Sequence, residues 1–183
     1  MIKIGICTSS RSERHLMEAL QKEIPDSKLL DIRHEAVALC DLYIIPADRS
    51  EMTKFALDCF HRNIPFVQFL AGSVSYSNTH DDINRWMISL MANFCFAESP
   101  EACRNLHKMG IPDNRIVMTG TSHFDGITMQ DIESNKVPYS PRPYDLILMN
   151  SETMGCGVDE SWFSSVKTNN ISVGGNEDSS DGK

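Results

Sequence analysis

The sequence is short of positive charge, of long apolar runs and of paired cysteines, and each shortage removes a class of function. Lys and Arg number 17 against 25 Asp and Glu, a net charge of −8. A surface of that sign repels phosphodiester backbones and anionic lipids, so neither nucleic-acid binding nor membrane-surface binding is expected. An anionic small molecule would need a local cluster of Arg or backbone N–H groups. Apolar runs such as DLYIIPA and DLILM fall far below the roughly 20 residues that cross a bilayer. The start, MIKIGICTSS, lacks the apolar core and cleavage site of a signal peptide, so a soluble, cytoplasmic protein is expected. The 6 cysteines, Cys7, Cys40, Cys59, Cys95, Cys103 and Cys156, form no CxxC pair and have no histidine at zinc-site spacing. They are expected to be reduced, mostly buried thiols, with no metal site and no cofactor.

What is present is the alternation of short apolar runs and amphipathic segments that builds a parallel sheet covered by helices. Strands are expected at 3–7, 28–32, 42–46, 66–69, 94–97 and 115–118. Ser10-Arg11-Ser12-Glu13 has the S-x-x-E form of a capping box, followed by Leu16, Leu20 and Ile24 on one helical face. Asp48-Arg49-Ser50-Glu51 repeats the device before Met52, Phe55, Ala56, Cys59 and Phe60. Thr79 is placed to cap a third helix, with Asp81 and Asp82 in its first turn and Ile83, Trp86, Met87, Leu90 and Met91 as its apolar stripe. Ser99-Pro100 opens a fourth, which Gly110 ends.

These elements define an α/β fold, a Rossmann-like parallel sheet flanked by helices, over 1–133. Pro138, Pro141 and Pro143 mark 134–145 as a linker. An incomplete second domain follows over 146–183, with strands at 146–149 and 171–173 and a tail expected to fray. At 183 residues the chain has room for one good core and an appendage.

In open α/β sheets ligands bind beyond the carboxyl ends of the strands. That rule nominates Arg11, Asp48, Ser73, then Asp81, Asp82 and Arg85, and finally the segment from Thr119 through Gly120 to His123. Each has a plainer reading. Asp48 suits an N-cap with Glu51 as its partner, and Asp81 with Arg85 suits a solvated i,i+4 ion pair. Arg11 suits an exposed first-turn residue, and His123 a solvent-facing side chain.

The runs PADRSEM, NIPFVQFLAGSVS and HDDINRWMISLMANFCFAESPEACRNLHKMGIPDNRIVMTGTSHFDGI follow, in order and spacing, the amino-terminal half of the hydrolysing UDP-N-acetylglucosamine 2-epimerases. The resemblance covers roughly residues 4–127. It implies the amino-terminal half of a GT-B architecture, two Rossmann-like domains holding a UDP-sugar between them, and epimerisation or hydrolytic epimerisation at C2 of a UDP-N-acetylhexosamine. By resemblance, Asp48 and Asp82 are catalytic carboxylates. Arg11 helps hold the diphosphate, and Arg85, Ser73, Gly120 and His123 contact substrate. VGGNEDSSDG resembles a second-domain turn and nominates Asn176. The implied partners are the UDP-sugar and either a second copy of the chain or a separate polypeptide completing the cleft. Two departures stand out: Ser73 falls where the family motif has a glutamate, and Asn150 or Ser151 falls where a second-domain histidine is expected. They leave open a non-catalytic nucleotide-sugar-binding or interaction module and, third, a GT-B glycosyltransferase.

Overall fold

A computed structural model describes residues 2–34, 40–46, 48–75, 79–125, 127–134, 144–148 and 169–173. The chain divides into two units, Met1–Gly126 and Ile127–Lys183.

In the first unit the strands are β1 (Ile4–Thr8), β2 (Lys28–Asp31), β3 (Leu42–Pro46), β4 (Phe66–Ala71), β5 (Phe94–Ala97) and β6 (Ile116–Met118), all parallel in the order β2-β1-β3-β4-β5-β6. The helices are α1 (Arg11–Glu23), α2 (Ser50–His61), α3 (His80–Met91) and α4 (Pro100–Lys108). Side chains alternate across each strand, so Ile6 and Ile44 face one way and Cys7, Tyr43 and Ile45 the other. Leu16, Met17 and Leu20 of α1 cover the first face; Met52, Phe55 and Cys59 of α2, Ile88 of α3 and Leu106 of α4 join the second.

The first capping box forms as expected. Ser10 Oγ accepts from Glu13 N at 3.2 Å while Ser10 N donates to Glu13 Oε2 at 2.9 Å, an arrangement that contributes about 1 kcal/mol. Ser99 Oγ likewise accepts from Ala102 N at 3.1 Å, Pro100 opens α4, and Gly110 follows the helix at φ 85°. The second expected box does not form. Arg49 is the capping residue of α2 and makes no side-chain cap bond, because the Asp48 carboxylate is engaged elsewhere.

Helix α3 departs from its expected orientation. Ile83, Met87 and Leu90 are 44%, 42% and 54% exposed, whereas Asp82, Ile88 and Ser89 are buried. The polar face turns inward because the sheet offers it partners. Gln68, fully buried on β4, donates to Arg85 O at 3.1 Å and accepts from the Ser89 hydroxyl, which also donates to Arg85 O at 2.9 Å. Buried polar groups satisfied in this way hold a helix at one register against the sheet.

Strand β4 runs two residues beyond its expected end and bulges between Phe69 and Ala71, with Leu70 at φ 57°. Gly72 follows at φ 84°, and a Cβ there would stand 2.3 Å from Ala102 O of α4, so only glycine fits.

The cysteines Cys7, Cys59 and Cys95 are buried free thiols and Cys40 and Cys103 are partly buried; Cys156 lies outside the described residues. Burial pushes the Cys59 and Cys95 thiols up to about 12 and about 11. Among the described residues no His, Cys, Asp and Glu group is arranged to hold a metal. No described helix is long and apolar enough to cross a membrane.

The second unit contains α5 (Met129–Ser134), whose first turn is tied by Thr128 Oγ1 donating to Asp131 Oδ2 at 2.6 Å. Its strands β7 (Tyr144–Leu148) and β8 (Asn169–Val173) are a parallel pair that overlaps the expected 146–149 and 171–173, each starting two residues earlier than expected.

Candidate active site

The chain runs from β1 outward to β2, then returns past β1 to lay down β3, so the strand order reverses between β1 and β3. In open α/β sheets the crevice for a ligand forms at that reversal, beyond the carboxyl ends of the strands. A cavity of about 460 Å3 lies there. Ser10 and Glu13 follow β1, Asp48 and Arg49 follow β3, Leu70 and Ser73 follow or end β4, Glu98 follows β5 and His123 follows β6; all of them line it, and Arg85 reaches in from α3.

Arg85 is the hub. Its side chain is 14% exposed and forms an ion pair with Asp48 Oδ2. The other guanidinium nitrogen donates to Ser73 O at 2.7 Å and meets Asp82 Oδ1 at 3.4 Å. Asp82, Arg85 and Ser89 stand at i, i+3 and i+7 on α3, which puts them on one helical face. The expected pair of Asp81 with Arg85 is replaced by this inward set. Burial pushes the Asp48 carboxyl above its ordinary pKa, while the Arg85 guanidinium pulls it back and Asp81 adds a small upward push. A desolvated carboxyl held by one cation is a candidate for proton transfer.

Asp82, expected as a catalytic carboxylate, is 1% exposed and does not line the cavity. Ser75 N donates to its Oδ1 at 2.8 Å and Ser75 Oγ to its Oδ2 at 2.7 Å. It anchors the chain after β4 and steadies Arg85 from behind. Arg11, expected beside the diphosphate, is exposed and also absent from the wall. Ser73 and His123 do line the cavity, and Thr121 Oγ1 hydrogen-bonds His123 Nδ1 at 2.7 Å. Gly120, at φ 80°, borders a second hollow of about 510 Å3 that shares Ala19, Ser122 and Asp125 with the first. Asn176, Asn150 and Ser151 lie outside the described residues.

Three carboxylates in the cavity, Glu13, Glu98 and Asp125, were not among the sequence candidates. Glu13 reads in sequence only as a capping-box partner. Its Oε2 accepts from Ser9 N at 2.7 Å, Ser9 Oγ at 2.8 Å and Ser10 N at 2.9 Å. Its Oε1 is buried with no hydrogen-bond partner among the described residues, and Arg49 Nε stands 4.0 Å away. Glu98 follows β5 directly and accepts a hydrogen bond from Ser73 Oγ. The strand-end rule reaches Glu98 as well, but the cap signal of Ser99-Pro100 beside it masks it.

The parallel sheet, its order reversal and the polar cavity at that point define a Rossmann-like ligand-binding α/β domain. More particularly, the model of the UDP-N-acetylglucosamine 2-epimerase family matches residues 33–149, and the chain belongs to that family. No curated protein matches it significantly. Among solved structures, the S. aureus MnaA–UDP co-structure is 17% identical, with a TM-score of 0.67 over 86% of this chain and 55% of that one. The UDP-N-acetylglucosamine 2-epimerase from Rickettsia bellii is also 17% identical, with a TM-score of 0.63 over 83% of this chain and 55% of its own. The Neisseria meningitidis enzyme bound to UDP-GlcNAc is 14% identical, with a TM-score of 0.54 over 84% of this chain and 58% of its own. At such identities the likeness is one of fold, and the chain spans about half the length of these structures.

Proposed function

We propose that this chain is the sugar-facing half of an enzyme that changes the configuration at C2 of a UDP-N-acetylhexosamine, by epimerisation or hydrolytic epimerisation, in the cytoplasm. One observation carries the reading: in a member of this family, a desolvated Asp48 is paired with Arg85 in the cavity at the strand-order reversal. Proton transfer at the weakly acidic C2 position calls for a carboxylate desolvated by its surroundings, and burial supplies that to Asp48. Arg85 keeps the carboxylate oriented, and Asp82 keeps Arg85 oriented.

The wall carries Glu13, Asp48, Glu98 and Asp125 against Arg49 and Arg85, an excess of acid that favours the hydroxyl-rich sugar over the diphosphate. The diphosphate therefore needs cationic groups from beyond this wall, and a second copy of this chain or a separate polypeptide are two ways to supply them. Analytical ultracentrifugation separates these two.

The test is release of UDP and of N-acetylmannosamine, or of the UDP-linked epimer, from UDP-N-acetylglucosamine. Turnover no higher than a buffer blank rejects the enzymatic reading. Ser73 in place of the family glutamate favours a second reading, a non-catalytic nucleotide-sugar-binding module, for which calorimetry would record UDP-sugar binding without turnover.

A further inference from the structure

An inversion at carbon needs proton transfer on two faces: one group takes the C2 proton and another delivers a proton to the opposite side. Asp48, paired with Arg85, supplies one. Ser73 leaves the β4 turn without a second carboxylate, yet the neighbouring strand supplies one.

Resting on the functional reading above, we propose that Glu98 is the second proton-transferring group of the cavity, a catalytic residue held in place by the Ser73 hydroxyl. Three observations converge on it. Glu98 lines the same cavity as Asp48 and Arg85. Its Oε1 accepts from Ser73 Oγ, a neutral donor that orients a carboxylate without cancelling its charge. Strands β3 and β5, which carry Asp48 and Glu98 at their ends, flank β4 on either side. Neighbouring strands lie about 4.8 Å apart, so the two strand ends stand roughly 10 Å apart, a span in which a pyranose ring fits between two carboxylates.

The cavity also asks for a polar occupant. Glu13 Oε1, on a side chain 9% exposed, has no hydrogen-bond donor among the described residues. A buried carboxylate oxygen left in that state is costly. A sugar hydroxyl or the acetamido N–H supplies the missing donor, and the three hydrogen bonds to Oε2 hold Glu13 ready for it.

The step balances without an external oxidant or reductant. The Glu98 carboxylate takes the proton from C2, the C2–H electron pair becomes the second C1–C2 bond, and the C1–O bond breaks. UDP departs with that bond's electron pair, and Glu98 is left protonated. The C1–C2 electron pair then takes a proton from the Asp48 carboxyl on the other face while an oxygen of UDP or of water bonds C1; Glu98 gives its proton to solvent and Asp48 takes one back, which completes the inversion.

The test uses the full chain with UDP-N-acetylglucosamine, comparing the parent with Glu98→Gln and Ser73→Ala. Glu98→Gln keeps size and hydrogen bonding but cannot take the proton, so turnover is expected to fall about 10²- to 10⁴-fold, with calorimetric affinity for UDP-N-acetylglucosamine and melting temperature unchanged. Ser73→Ala removes the hydroxyl that orients Glu98, so kcat is expected to fall about tenfold or more with calorimetric affinity for UDP-N-acetylglucosamine unchanged. An active parent whose Glu98→Gln variant stays within about tenfold of it overturns the proposal and leaves the functional reading intact. A parent that neither binds nor turns over the nucleotide sugar overturns both. Should Glu98→Gln fail to fold, a Ser73→Ala variant with the parent's kcat overturns the role of Glu98, and one whose kcat falls while its affinity holds supports it.

Discussion

Arg85→Met removes the cation on which the site is organised. Asp82 is 1% exposed, and the Arg85 and Asp48 side chains are 14% and 24% exposed, so these charges are partly withdrawn from water. Taking away the guanidinium leaves Asp82 with the Ser75 donors and deprives Asp48 and Ser73 O of a partner. Breaking a buried pair by deleting one member costs about 3 to 5 kcal/mol; the partial exposure of Asp48 sets the expectation at the lower end, about 3 kcal/mol. For a unit of this size that is a fall in Tm of roughly 10 °C. Urea unfolding followed by circular dichroism reads the change directly. Asp48→Asn should cost less, because Arg85 keeps Asp82 and Ser73 O as partners. The double variant should therefore lose less than the sum of the singles, by about 1 kcal/mol or more. In Arg85→Met the Asp48 carboxyl also rises further, since the one group holding it down has gone. A loss below about 1 kcal/mol, or strict additivity, would refute Arg85 as the organising charge.

Other expectations follow from the same structure. Gly72→Ala forces a Cβ to within 2.3 Å of Ala102 O at a φ of 84°, so about 2 kcal/mol or more should be lost in urea unfolding. Arg33, hydrogen-bonded to Asp31 at 3.0 and 2.7 Å, holds that carboxyl down from 3.8 to about 2. The pair thus stabilises the fold fully above pH 3.8 and loses its effect as pH falls through about 2. Asp31→Asn should destabilise at pH 7 by about 1 kcal/mol at most, because Arg33 is half exposed. That difference should vanish at pH 2 and below.

The elements were legible because their signals are local. Strands 42–46 and 94–97 appear at their expected limits, since near-continuous apolar runs of that length suit strands covered on both faces. The Ser10 and Ser99 caps form for an equally local reason. The reading of α3 was different. Its apolar stripe looked like the buried face, and the structure turns Asp82, Arg85 and Ser89 inward, because Gln68, Ser75 and Asp48 wait there and none is near in sequence. Asp48 failed as a cap for the same cause: Arg85, 37 residues on, outcompetes the helix end.

What the chain's own order of residues determined, then, was an α/β sheet, its helix starts, its family and the strand ends on which a site had to be built. Periodicity and capping act within a few residues, and family motifs are read as strings. Tertiary structure alone decided which polar side chains share the cavity: it drew Glu98 to Ser73 across 25 residues, left Glu13 Oε1 without a donor, and set Asp82 behind Arg85. Such pairings arise because a desolvated charge is costly until it meets a partner, and those partners come from neighbouring strands rather than neighbouring residues.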